Sequence, residues 1–267
     1  MREIKKLIFK ELNTVDIVLK NLLADEQNEV FKYLHDFLNS SSKKIRSILA
    51  ILYLKSLNND LSDDVINILC IGELIHNASL LHDDVLDDAE TRRERLTCGK
   101  KFSPKISILC GDFLLALATN KLIQLRNFDI LTIFQNCIQK MCEAEIKQYA
   151  LRGQKPSIDT YLMICEGKTA ALFESILESC AIMCKEDNMS AKTFAKDFGI
   201  LFQLKNDVEK FSAQAYERNK IYTAKDILGI EKTHCLTDNY LERAHVFIKT
   251  LPDNIYTKAL EDLLNKL

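Results

Sequence analysis

Hydrophobic residues recur at helical spacing along nearly the whole chain. Apolar positions repeat every third and fourth residue, with polar residues between them, which predicts amphipathic helices rather than strands. The predicted helices cover residues 2–24, 26–39, 43–58, 62–88, 105–124, 127–151, 158–185, 190–211, 231–250 and 254–266. Residues 95–104 and 212–222 break the pattern, and we expect loops there. The pattern predicts one all-α domain, residues 1–267, folded as a bundle of about ten helices.

The composition agrees with a helical protein. The 267 residues include only 7 glycines and 3 prolines, too few for an all-β protein or for a glycine-rich nucleotide loop. The formal net charge of −2 excludes the global basic field that is typical of nucleic-acid-binding proteins. An anionic ligand would therefore have to be bound by a local group of cations.

The nine cysteines are odd in number and scattered through apolar stretches. The nearest approach to a metal motif, Cys180-x-x-x-Cys184, has no second pair that would complete a zinc site. Reduced thiols are the simpler interpretation, and they indicate a reducing compartment. We find no apolar core of signal-peptide length and no run of roughly 18 uncharged apolar residues. We therefore expect a cytoplasmic protein with no transmembrane segment.

The predicted helix 62–88 carries a polar stripe on an otherwise apolar surface. A helix that is apolar nearly all round is buried, so the stripe, which includes His76, is expected to line a cavity. Carboxylates crowd the end of the helix at Asp83, Asp84, Asp87 and Asp88. Asp83 and Asp87 lie one turn apart, so together they could hold a Mg²⁺ ion that also binds phosphate groups. The alternative is an acidic, solvated helix end.

Arg92 and Arg93 follow these carboxylates, and arginine is suited to bidentate binding of phosphate. The segment LIHNASLLHDDVLDDAETRR at 74–93 resembles the first aspartate-rich motif of the trans-polyprenyl diphosphate synthases, the polyprenyl synthetase family. Four further segments resemble elements of that family in the same order: SSKKIR at 41–46, CGDFLLA at 110–116, EGKTAALFE at 166–174 and FGILFQLKND at 198–207.

The resemblance implies a fold, an activity and partners. The fold would be a helical bundle around a deep central cavity, of the isoprenoid synthase type. The activity would be Mg²⁺-dependent condensation of an allylic diphosphate with isopentenyl diphosphate to give a longer polyprenyl diphosphate. The protein would form a homodimer, or a heteromer with another synthase subunit.

The resemblance also implies roles for individual residues. Those that would bind the diphosphate of isopentenyl diphosphate are Lys43, Arg46, His76 and Arg93. Those that would contact the allylic diphosphate are Arg92, Lys168 and Thr169. Gln203 and Asp207 would belong to the opposite wall, and Lys220 would correspond to a later lysine of the family. The catalytic set would be Asp83, Asp84, Asp87, Lys168 and Asp207, with Asp83, Asp87 and Asp207 as the metal ligands.

Each of these residues also has a structural alternative. Lys43 and Arg46 could form a solvated helix face, and His76 could be a core histidine with a satisfied hydrogen bond. Lys168 could form a surface ion pair with Glu166, which would contribute little. The common order of the five segments favours the functional interpretation.

The sequence departs from the family at its second aspartate-rich motif. The five motif positions read Asn206, Asp207, Val208, Glu209 and Lys210, so one carboxylate is an amide and another is a cation. Three interpretations stay open: an active prenyltransferase, a weakly active or non-catalytic subunit of a heteromeric synthase, and a class I terpene cyclase. The cyclase motif would require serine at 210 and glutamate at 214, where this chain has Lys210 and Gln214.

The residues four and five positions before Asp83 are small, namely Ser79 and Ala78. They lie about one turn below Asp83 and would form the floor of a chain-length pocket. In the family a bulky aromatic residue there holds the product at farnesyl length, so the resemblance predicts a longer product. Alternatively, Ala78 and Ser79 only permit close helix packing, and a deeper side chain such as Phe113 closes the tunnel.

Overall fold

The computed structural model describes residues 1–23, 28–39, 43–92, 94–209 and 220–267. The α-helices in this part of the chain, numbered in order, are α1 (Arg2–Leu7), α2 (Phe9–Asn21), α3 (Glu29–Asn39), α4 (Ile45–Ser56), α5 (Asp63–Leu86), α6 (Cys98–Lys101), α7 (Pro104–Gln124), α8 (Phe128–Ala150), α9 (Ile158–Cys165), α10 (Ala171–Cys184), α11 (Asn188–Glu209), α12 (Ala224–Leu228), α13 (Ile230–Ile248) and α14 (Ile255–Asn265). A π-helical turn, Glu166–Ala170, joins α9 to α10. The predicted all-α class is confirmed.

Local chemistry explains where the structure differs from the sequence pattern. The predicted loop 95–104 contains α6, because the side chain of Thr97 accepts a hydrogen bond from the backbone N–H of Lys100 and caps a short helix. An antiparallel pair of two-residue strands, β1 (Thr91–Arg92) and β2 (Arg95–Leu96), precedes it. Strands this short contain too few residues to show alternation. The predicted loop 212–222 lies mostly outside the described residues.

The chain divides into two compact units, which we describe separately. The N-terminal unit contains Arg2–Ile51 and Leu61–Leu131, and the C-terminal unit contains Met1, Leu52–Asp60 and Thr132–Leu267. The assignment of residues 1–267 to a single domain stays a prediction.

Helix α5 forms the centre of the N-terminal unit, where it packs along α7. It begins at Ser62, whose side chain accepts a hydrogen bond from the backbone N–H of Val65. Gly111 on α7 permits the close approach of the two helices, because a Cβ atom there would clash with the imidazole ring of His82. The glycine of the CGDFLLA segment therefore makes room for the residue that precedes Asp83.

Helix α10 forms the centre of the C-terminal unit and is buried from Ala171 to Ala181. Helix α11 packs against α10 and the π-helical turn. Gly199 on α11 permits this contact, because a Cβ atom there would lie 2.5 Å from the Cα atom of Ala170. Phenylalanine rings fill the core beside it, with Phe173 and Phe198 at 5.3 Å between centroids and Phe194 stacked on Phe247 at 4.5 Å. The π-helical turn that carries Lys168 and Thr169 is thus held on a rigid base.

Two of the described helices, α5 and α7, are long and apolar enough to cross a membrane by length and composition. An apolar stretch of 18 residues in α5 is 72% buried inside the protein, as in a core helix. The corresponding apolar stretch of 18 residues in α7 is only 33% buried. Helix α7 therefore presents an apolar face that the N-terminal unit does not cover.

Candidate functional site

The aspartates of the first motif lie at the C-terminal end of α5. Asp84 is buried, Asp83 and Asp87 are partly buried, and Asp88 is exposed. The helix ends because Asp88 adopts a left-handed backbone conformation, φ 48°, and the N–H of Ala89 donates to the carbonyl of Asp84 at 2.9 Å. Carboxylates at a helix C-terminus face the negative end of the helix dipole. This arrangement is unfavourable unless cations compensate it.

Arg92 supplies one such cation to Asp84. Its Nε and Nη2 atoms lie 2.8 Å and 2.7 Å from Oδ1 of Asp84. The pair attaches β1 to the end of α5 and neutralises the buried carboxylate. Asp84 therefore binds Arg92, while Asp83 and Asp87 are the motif carboxylates that reach the surface. Arg93, predicted to bind isopentenyl diphosphate, lies outside the described residues.

The carboxylates of Asp83 and Asp87 suit a hard divalent cation such as Mg²⁺. They lie one helical turn apart, and Mg²⁺ is commonly held by one or two carboxylates together with water and phosphate oxygens. Within the described part of the chain, no group of three or more His, Cys, Asp or Glu side chains is arranged to hold a metal by itself. The donor set fits an ion whose coordination is completed by a phosphate-bearing ligand.

The basic residues predicted to bind isopentenyl diphosphate lie on or beside two neighbouring helices. Lys43 is exposed just before α4, Arg46 is partly buried on α4, and His76 is partly buried on α5. Ser47 on α4 donates to Oε1 of Glu73 on α5 at 2.6 Å. Ser47 follows Arg46, and Glu73 lies one turn before His76. This buried hydrogen bond therefore holds the segment of α4 that carries Arg46 against the segment of α5 that carries His76.

Lys44 has a different partner from its neighbour Lys43. It forms an ion pair with Asp16 of α2, and burial lowers the pKa of its ammonium group. Of the two lysines in the SSKKIR segment, Lys44 therefore makes a structural ion pair and Lys43 lies exposed at the surface.

The residues of the predicted chain-length pocket differ in burial. Ala78 is fully buried, whereas Ser79 is partly buried and donates to the carbonyl of His76 at 2.9 Å. Phe113, the alternative closing residue, packs edge to face against Phe31 at 5.3 Å.

In the C-terminal unit, Lys168 lies on the π-helical turn and reaches α8. Its Nζ atom donates to Oε1 of Gln148 at 2.8 Å and forms an ion pair with Glu145. Glu166, the partner considered from sequence, pairs instead with Lys196 at 2.6 Å. Glu145 and Gln148 are thus partners of Lys168 that the sequence does not predict, because only tertiary packing brings α8 to Lys168.

Asp207 is buried, and both of its carboxylate oxygens accept hydrogen bonds. Oδ2 accepts from the phenol of Tyr161 at 2.7 Å and from the backbone N–H of Ala224 at 3.2 Å. Oδ1 accepts from Nε2 of Gln203 at 2.8 Å, and Oε1 of Gln203 accepts from the hydroxyl of Thr169 at 3.1 Å. Burial, with smaller contributions from Cys165 and Asp207, raises the pKa of the Tyr161 phenol, so it stays a donor at neutral pH.

The described polar side chains of the second motif are hydrogen-bonded within the protein. The carboxylate oxygens of Asp207 are engaged within the protein, and Nδ2 of Asn206 donates to the carbonyl of Phe202 at 2.8 Å. Lys210 and the side chain of Glu209 lie outside the described residues. Lys220 is exposed, and its carbonyl accepts from the N–H of Gly153 at 2.8 Å.

A cavity of about 280 Å³ lies between α8, α10 and α11 in the C-terminal unit. None of the predicted site residues lines it. Its charged lining consists of Lys140, Glu143, Glu174, Glu178 and Lys192. Glu174 is buried there, and burial, followed by repulsion from Glu166, raises the pKa of its carboxyl group.

The chain is similar to known proteins over most of its length. The family described as polyprenyl synthetase matches residues 27–259. A decaprenyl-diphosphate synthase of Dictyostelium discoideum is 33% identical over 192 residues, covering 70% of this chain and 42% of that protein. An octaprenyl diphosphate synthase of Haemophilus influenzae is 30% identical over 225 residues, covering 82% of this chain and 67% of that protein.

The fold is also similar to that of solved structures. The crystal structure of heptaprenyl diphosphate synthase from Staphylococcus aureus superposes with a TM-score of 0.88 at 22% identity, covering 97% of both chains. The five sequence segments, the all-α fold and the family match over residues 27–259 agree. The chain belongs to the polyprenyl synthetase family.

Proposed function

We propose that this protein is a Mg²⁺-dependent prenyltransferase that joins an allylic diphosphate to isopentenyl diphosphate. The observation that carries the proposal is the end of α5, where Asp83 and Asp87 lie partly exposed beside the Arg92–Asp84 pair. The proposal rests on this geometry in a chain that belongs to the polyprenyl synthetase family.

The reaction requires little acid–base chemistry from the protein. The allylic C–O bond breaks and its electron pair leaves with the diphosphate, the double bond of isopentenyl diphosphate attacks the allylic cation, and a proton passes to the departed diphosphate. Mg²⁺, held by Asp83 and Asp87, would supply positive charge to the leaving group. In the N-terminal unit, Arg92 would bind diphosphate oxygens, and Lys43, Arg46 and His76 would hold isopentenyl diphosphate. In the C-terminal unit, Lys168 and Thr169 would bind diphosphate oxygens.

Lys168 is prepared for this role by its neighbours. Glu145 and Gln148 hold its ammonium group in one position. An ammonium that is already positioned loses less conformational entropy when it binds a phosphate oxygen. The diphosphate would replace Glu145 as the partner of Lys168 or share it.

We also propose a product longer than farnesyl diphosphate. Two relatives of this chain are a decaprenyl-diphosphate synthase and an octaprenyl diphosphate synthase. In this chain Ala78 and Ser79 are small, which supports a long product because neither side chain would block a growing tail.

We propose that the protein forms a homodimer through α7. Ile108, Leu109 and Ile123 on this helix and Phe128 just after it are exposed. The buried share of the 18-residue apolar stretch in α7 is less than half of that in α5. A second copy of the same surface would remove these side chains from water.

We propose a cytoplasmic location because the cysteines form no disulfides. All nine are free thiols, including the buried pair Cys98 and Cys110, whose sulfur atoms lie 4.0 Å apart. Thiols persist in this state in a reducing compartment.

The experiment is a product assay with the purified protein. Radiolabelled isopentenyl diphosphate is incubated with each short allylic diphosphate and Mg²⁺, and the products are separated by chain length. We expect incorporation that requires an allylic primer and is lost in EDTA. A folded protein that incorporates no label with any primer would contradict the proposed function.

A further inference from the structure

Asp207 stands at a junction of three helices in the C-terminal unit. It lies on α11 and accepts hydrogen bonds from Tyr161 on α9 and from the first residue of α12, Ala224. Beneath this junction lies an apolar cluster of buried residues: Tyr161, Cys165, Ala170, Ile200, Leu204 and Ala224. The carboxylate is therefore part of the packing that holds α9, α11 and α12 together.

The same junction joins the two ends of segment 208–223. At one end, Asp207 binds the N–H of Ala224. Beside it, Nζ of Lys225 donates to the carbonyl of Val208 at 2.7 Å. The start of α12 is fixed in turn because the carboxylate of Asp226 accepts from the N–H and the hydroxyl of Thr223 at 2.7 Å and 2.6 Å.

Asp207 also determines the orientation of the Gln203 amide. A carboxylate oxygen can only accept, so Gln203 must turn its NH₂ group toward Asp207. Its carbonyl oxygen then faces Thr169, which donates to it. One acceptor thereby orients two side chains that the proposed function places at the allylic diphosphate.

We propose that Asp207, held by Tyr161, is a positioning residue that orients Gln203 and Thr169 and joins the ends of segment 208–223, and that it is not a ligand of Mg²⁺. Its direct partners use both carboxylate oxygens, and the neighbouring Asn206 carries no charge. The roles of Gln203 and Thr169 in this inference rest on the proposed function, whereas the junction itself does not.

The test uses three variants of the full chain, Asp207→Ala for hydrogen exchange, Asp207→Asn for Mg²⁺ dependence and Tyr161→Phe for both. Tyr161 is not a candidate metal ligand, so a shared effect of the Asp207 and Tyr161 variants separates positioning from metal binding. Tyr240→Phe is the matched control, because Tyr240 packs against the same apolar cluster and its ring contacts Arg243 rather than Asp207. Asp83→Asn is the control for a metal ligand.

The first measurement is hydrogen exchange at Ala224, which does not depend on activity. Asp207→Ala removes the acceptor of the Ala224 N–H, so exchange there should accelerate at least about tenfold. Tyr161→Phe should accelerate it less, because Asp207 remains, and Tyr240→Phe and Asp83→Asn should leave it unchanged. Unchanged exchange at Ala224 in both Asp207→Ala and Tyr161→Phe would overturn the inference.

The second measurement is Mg²⁺ dependence, followed by calorimetry with inorganic diphosphate as the probe and by initial rates. Oδ2 of Asp207 accepts two hydrogen bonds and Oδ1 accepts one, so we expect the amide oxygen of Asp207→Asn to take the Oδ2 position. Its NH₂ group would then face Gln203, which must reverse its own amide. We expect Asp207→Asn and Tyr161→Phe to raise the KM of the allylic diphosphate, with the half-saturating Mg²⁺ concentration within about twofold of wild type. Asp83→Asn should raise the half-saturating Mg²⁺ concentration.

A shift in Mg²⁺ dependence in Asp207→Asn as large as that in Asp83→Asn would overturn the inference. If the wild-type protein forms no product, the proposed function fails by itself. Exchange at Ala224 and calorimetry with inorganic diphosphate still decide the role of Asp207 in that case.

Discussion

Arg92 and Asp84 form a charge pair at the end of α5 in which two guanidinium N–H groups donate to one carboxylate oxygen. The side chain of Asp84 is 1% exposed and that of Arg92 is 29% exposed, so the carboxylate is the buried partner. The other carboxylate oxygen, Oδ2, is buried and has no hydrogen-bond partner among the described residues. The pair therefore couples the stability of this region to the position of the hairpin β1–β2.

Removing Arg92 should destabilise the protein more than neutralising Asp84. Arg92→Ala leaves a buried, uncompensated carboxylate, which typically costs about 3–5 kcal/mol. Asp84→Asn leaves a partly exposed arginine that water can solvate, and we expect a loss of about 1–2 kcal/mol. Urea unfolding of both variants measures the difference. Equal losses would mean that the two charges are equally solvated.

Asp83→Ala or Asp87→Ala should lower Mg²⁺-dependent turnover by about a hundredfold or more, because each removes an oxygen ligand and the charge that holds the cation at the leaving group. The matched control is Asp88→Asn in the same turn, which is exposed and keeps a residue type that tolerates a positive φ. Turnover and thermal unfolding are measured together. A near wild-type rate in either alanine variant would remove that residue from the metal site.

Stability should fall with rising pH because of Glu174. Its folded-state pKa lies above the unfolded value, owing to burial and then to Glu166, so the folded state binds the proton more tightly. This contribution is fully present below the ordinary glutamate pKa of about 4.3 and is lost as pH rises through the higher folded-state value. Glu174→Gln should therefore be more stable than wild type at pH 7.5, with a flatter pH dependence.

Glu143→Gln is the control for this prediction, since Glu143 lines the same cavity but is exposed. Glu143→Gln should leave the pH dependence of the free energy of unfolding unchanged. Urea unfolding at pH 5.0 and 7.5 provides the measurement, and a parallel pH dependence in wild type and Glu174→Gln would contradict the assignment.

Larger side chains below Asp83 should shorten the product. Ala78→Phe should remove at least one isoprene unit, because the ring fills volume that the tail would need. Ala78 is fully buried, so overpacking should also cost about 1–3 kcal/mol of stability. Ser79→Phe, at a partly buried position, tests the same idea with less overpacking. An unchanged product distribution in both variants, or a wild-type product of farnesyl length or shorter, would show that these residues do not limit chain length.

A charge on the exposed face of α7 should prevent dimerisation. Leu109 is 61% exposed, and Leu109→Lys would place an ammonium group at the centre of the proposed contact. Sedimentation velocity should then report a monomer where wild type is a dimer. Ile255→Lys is the control, because Ile255 is 59% exposed on α14. A monomeric wild-type protein, or a dimer that tolerates Leu109→Lys, would exclude this surface.

The sequence by itself determined the features that depend on neighbours along the chain. Helical periodicity is local, so the longer helical segments were predicted within a few residues, whereas the short helices α6 and α12 were not predicted. Ser62 marked the start of α5 because its side chain caps a backbone N–H three residues away. The spacing of Asp83 and Asp87 on one helix likewise requires no tertiary information. The order of five segments was enough to identify the family.

Only the tertiary structure decided which partners the candidate residues have. Lys168 pairs with Glu145 rather than with nearby Glu166, because packing places α8 against the π-helical turn. Asp207 binds Tyr161, 46 residues earlier, and Ala224, 17 residues later. Such contacts depend on how separate helices pack, and no local pattern encodes them. The physical reason is that a carboxylate in the sequence has the same chemistry whether it faces a metal or a buried phenol, and only its surroundings in the fold distinguish the two.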